Sequence, residues 1–139
     1  AKYCGFKVRF IEHKWSGIYQ LGTTSIWDSA GRFTQDMYIK SAYQCLSFQI
    51  KKRLPIGKGG MILTNDAEAV SWLKLARYEG RDLNVDYNSQ HYTILGWNMY
   101  MTPEDAARGI LIMDNLPLIN EDTHDDSSYS DLSNQNIYK

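Results

Sequence analysis

The chain has 139 residues, a hydrophobic content of 43% and a net charge of −1 at pH 7, which suit one modest domain with its own core. The near-neutral charge, and the lack of a basic stripe or of an apolar run of ~20 residues, argue against nucleic acids and membranes as partners. Two cysteines, Cys4 and Cys45, favour reduced thiols in a cytoplasmic protein over a disulfide framework.

Four short segments predict β-strands. Residues 7–11 alternate polar and apolar side chains, whereas residues 25–30, 45–50 and 61–63 are apolar runs. Asp28 would lie at the carboxyl end of its strand, which is where ligands bind in open α/β sheets. Residues 13–24 are aromatic and glycine-bearing without a clear period, and they remain unassigned.

Two helices are predicted by their start and stop signals. The first has its N-cap at Asn65 or Asp66 and extends to about residue 79, before a glycine. The second begins with the N-cap and first-turn proline of residues 102–103 and continues towards Pro117. Strands and helices together indicate the α/β class.

The composition changes after the second helix. Residues 120–136 are rich in Asp, Ser and Asn and poor in aliphatic side chains, which is typical of chain that does not pack. We therefore predict a domain over residues 1–118 and a polar, mobile tail over residues 119–139.

Several familiar arrangements for chemistry are missing from the sequence. Lys58 lies between glycines, but the order G-x-x-x-x-G-K-[ST] of a nucleotide-binding loop does not occur. The histidines have no partner at helical spacing and no cysteine neighbour, so a metal site is not expected; they are His13, His91 and His124. Ser47 lacks the G-x-S-x-G frame of a hydrolase nucleophile. Cys45 is interpreted as core packing.

A set of four features near two strand ends has more specific chemistry. Asp28 alone is compatible with an ordinary turn aspartate, and Lys51 and Lys52 with solvated charges beyond a strand. The glycines at 57, 59 and 60 fit a tight turn between strands. Taken together, a strand-end carboxylate, a strand-end lysine, the hydroxyl of Ser47 and a glycine turn form the set that holds pyridoxal phosphate.

The same residues carry a resemblance to a known family. The segments are SFQIKK at residues 47–52, GKGG at 57–60 and TND at 64–66. With this spacing the chain resembles the DegT/DnrJ-type aminotransferases, which use pyridoxal phosphate to aminate nucleotide-linked keto-sugars and related carbonyl compounds. The resemblance covers roughly residues 25–116. It implies the middle of a fold-type-I large domain, in which helices flank a mixed sheet.

The resemblance also implies roles for individual residues. Lys52, rather than Lys51, would carry the cofactor, and the hydroxyl of Ser47 would bind its phosphate. Asp28, in the segment DSA, would pair with the nitrogen of the pyridine ring. Asn98, in the segment GWNMYMT, would reach the phosphate bound in the other subunit of a dimer.

Three positions depart from the family pattern. Gln49 replaces a histidine, Gly31 stands where a glutamine or histidine commonly follows the aspartate, and Tyr100 replaces an arginine. The lysine and the aspartate are intact, whereas the substrate class and part of the phosphate site do not carry over. Arg32 is a candidate to compensate for Gly31.

The resemblance thus predicts a cytoplasmic aminotransferase that moves an amino group from an amino acid such as glutamate to a carbonyl acceptor in sugar biosynthesis. It would work as a homodimer or with a partner chain that completes the site. Family members are more than twice as long as this chain. The alternative is therefore a non-catalytic fragment or assembly module of the same fold that completes a partner chain.

Overall fold

A mixed four-stranded sheet organises the chain in the computed structural model, which describes residues 1–123 and 129–138. The strands, in their order across the sheet, are β1 (Tyr19–Gln20), β2 (Ile26–Asp28), β3 (Tyr43–Ser47) and β4 (Gly60–Leu63). The central pair β2 and β3 is parallel, and the outer strands pair antiparallel to them. Two helices follow, α1 (Ala67–Ala76) and α2 (Pro103–Met113). The predicted α/β class and mixed sheet are confirmed.

The strand predictions differ in their outcome. The strands predicted at residues 25–30 and 61–63 are confirmed as β2 and β4. The strand predicted at residues 45–50 is β3, which begins two residues earlier and ends three residues earlier than predicted. The prediction of a strand at residues 7–11 is wrong, because this segment is mostly exposed and is not assigned to a strand. The apolar side chains of this alternating segment do not pack against the core. β1 arises instead within the unassigned residues 13–24.

Both predicted helices are confirmed. The Asp66 side chain caps α1 by accepting a hydrogen bond from the Ala69 N–H at 3.0 Å, and α1 ends three residues earlier than predicted. Thr102 caps α2 by accepting from the Asp105 N–H at 3.3 Å, and Pro103 occupies the first helical position. Among the described residues, no helix has the length and apolar character needed to cross a membrane.

The hydrophobic core lies at the end of β3 and in the loop that follows it. Its buried residues are Leu46, Phe48, Leu54 and Ile56, with Phe33, Met37, Leu63, Met101 and Ile112 packed around them. α2 approaches this loop closely at Gly109, where a Cβ would lie 2.6 Å from the Ile56 side chain. The core therefore fixes the ends of the loop that contains Lys51 and Lys52.

A buried glutamine organises the connection between the two parallel strands. Gln44 is fully buried, and its amide nitrogen donates to Ser29 Oγ at 3.1 Å and to the Met37 carbonyl at 3.2 Å. Its amide oxygen accepts from the Ile39 N–H at 2.6 Å. Because its polar atoms are paired with chain from the connection, Gln44 shapes a crossover between parallel strands that contains no helix.

The glycine segment has the predicted backbone angles but is not a tight turn. Gly57 and Gly59 have φ values of +114° and +88°, which favour glycine. Residues 48–59 separate β3 from β4, so the connection is a loop. Gly60 lies within β4 opposite Ser47, and a Cβ there would lie 2.2 Å from the Leu46 carbonyl oxygen. Close approach of two strands therefore requires this glycine.

Candidate functional site

Two of the four predicted site residues line one cavity at the edge of the sheet. In the parallel pair, Asp28 at the end of β2 is in register with Cys45, and Ser47 lies two residues further along β3. Both residues line a shallow, open cavity of about 220 Å³, together with residues that include Leu21, Ile26 and Trp27. Parallel pairing explains this convergence, because the two strands end on the same side of the sheet.

The Asp28 carboxylate is held by two hydrogen bonds. Its Oδ1 accepts from the Ala30 N–H at 2.9 Å, and its Oδ2 accepts from the Tyr19 hydroxyl at 2.9 Å. Tyr19 is the register partner of Asp28 in the antiparallel pair β1 and β2. The carboxylate therefore has a fixed orientation, and each oxygen retains a lone pair for a further donor.

Tyr19 is a site residue that the sequence did not reveal. Burial, and then its hydrogen bond to the Asp28 carboxylate, raise the pKa of Tyr19 to about 12, so its hydroxyl stays protonated and donates at neutral pH. The Trp15 ring packs on it with centroids 5.0 Å apart, and Tyr129 packs on Trp15 at 5.5 Å. The available signal was a pair of aromatic residues, Trp15 and Tyr19, four residues apart.

Cys45 is unsuited to act as a nucleophile. Burial, and then the neighbouring charge of Asp28, raise the pKa of its thiol, which keeps it protonated at neutral pH. Its interpretation as a packing residue agrees with this environment.

Lys52 lies in the turn that follows β3. The Gln49 carbonyl accepts from the Lys52 N–H at 2.9 Å, and the Gln49 side chain accepts from the Lys51 N–H at 2.8 Å. Gln49, which departs from the family pattern, thus stabilises the turn that carries both lysines. Lys51 is exposed and Lys52 is half-buried.

The structure does not bring Lys52 into the cavity with Asp28 and Ser47. Lys52 is not one of the residues that line the cavity. Within the described part of the chain, its ammonium has no hydrogen-bond or ion-pair partner. The amine is therefore available, but its reach to the cavity stays a prediction.

Asn98 lies apart from the cavity. It forms a backbone bridge with Tyr78 just beyond α1, and its side-chain amide donates to Glu79 Oε1 at 3.1 Å. Tyr100, in place of the family arginine, packs its ring against Tyr78 at 5.0 Å. The resemblance assigns Asn98 to the site of the other subunit, and this role also stays a prediction.

Arg32, the candidate to compensate for Gly31, pairs with Asp122. Its guanidinium donates to both carboxylate oxygens of Asp122, each at 2.8 Å. This pairing raises the pKa of Arg32 and lowers the pKa of Asp122, in each case chiefly through the hydrogen bonds between them. Arg32 is thus engaged within the chain and does not line the cavity.

No metal centre accompanies this site within residues 1–123 and 129–138, where no group of three or more His, Cys, Asp or Glu side chains is placed to bind an ion. His124 lies outside the described residues.

Comparison with known proteins decides the family. The model of the DegT/DnrJ/EryC1/StrS aminotransferase family matches residues 37–130, which is more than half of the chain. The chain belongs to this aminotransferase family. The match contains Ser47, Lys52 and Asn98 and begins after Asp28, and it confirms the resemblance carried by the SFQIKK, GKGG and TND segments.

One curated relative is similar over part of its length. GDP-perosamine synthase of Caulobacter vibrioides is 39% identical over 64 residues, which make up 46% of this chain and 16% of the relative. The matched segment thus spans about a sixth of that relative. No solved structure matches the chain. The assignment of the mixed sheet to fold type I accordingly rests on the family match.

Proposed function

We propose that this chain forms part of a pyridoxal-phosphate-dependent aminotransferase. It would move an amino group from an amino acid, glutamate being the first candidate, to a carbonyl acceptor such as a nucleotide-linked keto-sugar. The convergence of Asp28 and Ser47 on one cavity, in a chain of this family, is the observation that carries the proposal. The name of the relative, a GDP-sugar synthase, favours a sugar acceptor.

The cavity suits the two ends of the cofactor. Asp28 presents an oriented carboxylate for the proton on the ring nitrogen, and the apolar walls suit the flat face of an aromatic ring. Ser47 Oγ accepts a long hydrogen bond of 3.4 Å from the Gln49 N–H, and within residues 1–123 and 129–138 its O–H has no acceptor, so it can donate to a phosphate oxygen. When bound, the cofactor supplies an aldehyde for an amine and an electron-poor ring that accepts an electron pair.

Each residue of this chain has a separate task in the proposal. Asp28 holds the proton on the ring nitrogen, and Tyr19 holds the Asp28 carboxylate in its orientation. Ser47 binds the phosphate, together with Asn98 from the other subunit. Lys52 attaches the cofactor through its amine and afterwards carries protons to and from the substrate.

A partner is expected to complete the site. The cavity of about 220 Å³ is smaller than the ~300–1,000 Å³ of typical ligand sites, so further walls are needed. The chain has an accessible surface of 10822 Å², against ~7,400 Å² for a compact monomer of this mass. A homodimer, or a partner chain, would cover part of that excess. With Cys4 and Cys45 free, we place the enzyme in the cytoplasm.

A second candidate function is a non-catalytic module of the same fold that completes the site of a partner chain. The observation that favours it is the position of Lys52 outside the cavity that contains Asp28 and Ser47. In that case the chain would supply structure or cofactor contacts without attaching the cofactor itself.

Cofactor attachment separates the two functions. The chain is incubated with pyridoxal phosphate, its visible spectrum is recorded, and borohydride is added to fix any attached cofactor for peptide mapping. We expect the label on Lys52, its loss in Lys52→Ala, and an undiminished label in the matched control Lys51→Ala. Glutamate should then discharge the visible band of the wild type.

The opposite result has an equally definite meaning. A wild-type chain with no visible band and no fixed label, although folded by circular dichroism, would overturn the proposal that this chain attaches the cofactor. A label confined to Lys51 or Lys58 would overturn the assignment of Lys52.

A further inference from the structure

We propose that residues 118–123, which we call the strap, position the two halves of the site, with Asp122 as the positioning residue. The strap follows α2 and contacts both the loop after Asp28 (residues 29–35, the aspartate loop) and the loop after β3 (residues 48–59, the lysine loop). The proposal rests on the proposed function only in what it says about the cofactor.

The strap is joined to the aspartate loop along its whole length. At its start, the Leu118 carbonyl accepts from the Gln35 N–H at 2.7 Å. In the middle, the Asn120 N–H donates to Thr34 Oγ1 at 3.1 Å. At its end, the Thr123 N–H donates to the Gly31 carbonyl at 2.8 Å. These bonds hold the strap alongside the chain that leaves Asp28.

The strap is joined to the lysine loop at one point, directly beside Lys52. Arg53 Nε donates to the Glu121 carbonyl at 2.9 Å. The charge of Arg53 also contributes to lowering the pKa of Asp122, so the guanidinium lies near that carboxylate as well. The neighbour of the proposed cofactor lysine is thus held by the strap.

Asp122 is where these contacts meet. Its carboxylate forms a two-pronged pair with Arg32 of the aspartate loop and attracts Arg53 of the lysine loop. The same carboxylate covers Gly17, where a Cβ would lie 2.1 Å from Asp122 Cγ. Gly17 in turn accepts from the Gly31 N–H at 3.1 Å. The Asp122 side chain is only 21% exposed, so water screens the pair incompletely.

The strap matters for the proposed function because Lys52, on a loop, must reach a cofactor whose ring is oriented by the Asp28 carboxylate. Productive sites hold their groups to within ~0.5 Å, and loops need support to do so. The two loops already touch through the rings of Phe33 and Phe48, whose centroids are 6.4 Å apart. That apolar contact keeps the two loops together but lets one slide along the other. The directional hydrogen bonds of the strap fix the position of one loop relative to the other.

Hydrogen exchange of the 139-residue chain tests the strap without any cofactor. In Asp122→Asn we expect exchange in the aspartate loop to accelerate by about tenfold, since its charge-assisted pair with Arg32 is lost. Exchange in the lysine loop should accelerate less, since the bond from Arg53 to the Glu121 carbonyl remains. Arg32→Gln should accelerate the aspartate loop alone, and Arg53→Gln the lysine loop alone. The matched control is Asp82→Asn, a half-buried aspartate whose carboxylate accepts from the Asn84 N–H at 2.9 Å, away from both loops; it should leave both loops unchanged.

Borohydride fixation of pyridoxal phosphate on Lys52 provides the second measurement. Asp122→Asn should need several-fold more cofactor for half-labelling, while Asp82→Asn labels as the wild type does. Unchanged exchange in both loops, or equal acceleration throughout the chain, would overturn the strap proposal. A wild type that does not label, together with loop-specific exchange effects, would instead overturn the proposed function alone. If Asp122→Asn fails to fold, the two arginine variants decide.

Discussion

The two halves of the candidate site are built in different ways. Asp28 and Ser47 belong to strands, and strand register places them at one edge of the sheet with the Asp28 carboxylate doubly hydrogen bonded. Lys52 belongs to a loop, and its ammonium has no partner within the described residues. The comparison teaches that strand register preorganises Asp28 and Ser47, whereas the position of Lys52 depends on contacts between loops.

The largest expected effect comes from two glycines, of which Gly60 lies in the sheet and Gly57 lies in the lysine loop. Gly60→Ala places a Cβ against the Leu46 carbonyl oxygen, so β3 and β4 would have to move apart. We expect a loss of about 3 kcal/mol in the free energy of unfolding. Gly57→Ala, in the lysine loop, strains only its own backbone at φ +114° and should cost about 1–2 kcal/mol. Urea unfolding measures both. Equal costs would show that the sheet edge is no more rigid than the loop.

A pair of glutamines gives the next largest effect. Gln44→Leu removes the buried amide that shapes the connection between β2 and β3. It leaves the Ile39 N–H and the Met37 carbonyl without their hydrogen-bond partner, which should cost about 2–3 kcal/mol. Gln49→Ala removes one exposed bond to the Lys51 N–H and should cost about 0.5 kcal/mol. Thermal unfolding of the two variants checks this ranking, and a cost for Gln49→Ala as large as for Gln44→Leu would contradict it.

These contrasts explain what the sequence could and could not predict. Local signals were sufficient for β2, β4 and the caps of both helices, because a cap or a short apolar run acts on its own neighbours. The strand predicted at residues 7–11 failed because alternation requires a core on one side, which sequence alone does not provide. β1 was missed because two residues form a strand only when a distant partner, here Asp28, pairs with them.

The candidate site shows the same difference between features set by local sequence and features set by distant contacts. The neighbouring positions of Asp28 and Ser47 were predictable because each lies near the end of a recognisable strand; their roles toward a cofactor stay predictions. Tyr19 and Asp122 were not predictable, since their roles arise from contacts across the sheet and over 90 residues of chain with Arg32. The placement of Lys52 relative to the cavity is a property of loop packing, which spacing along the chain does not encode.

A smaller effect tests the hydrogen bond at the rigid half directly. Asp28→Asn removes the charge and weakens the acceptor for Tyr19 while leaving burial in place. The pKa of Tyr19 should therefore fall from about 12 but remain above the ordinary value of 10.0, because burial is the larger cause. Absorbance titration of the phenolate, read as the difference between wild type and the Tyr19→Phe control, measures the change. An unchanged pKa would mean that the carboxylate does not face this hydroxyl.

The smallest expected effect is a pH dependence of stability that belongs to the same residue. Because the folded pKa of Tyr19 is raised above 10.0, the folded chain disfavours its ionised form. The contribution of the neutral hydroxyl is complete below pH 10 and is lost as the pH rises towards about 12. The free energy of unfolding should decline over this interval more steeply in the wild type than in Tyr19→Phe. If the free energy of unfolding falls equally with pH in both proteins, the Tyr19 hydroxyl is exposed to water. The Asp28 carboxylate would then lack the Tyr19 hydrogen bond that orients it.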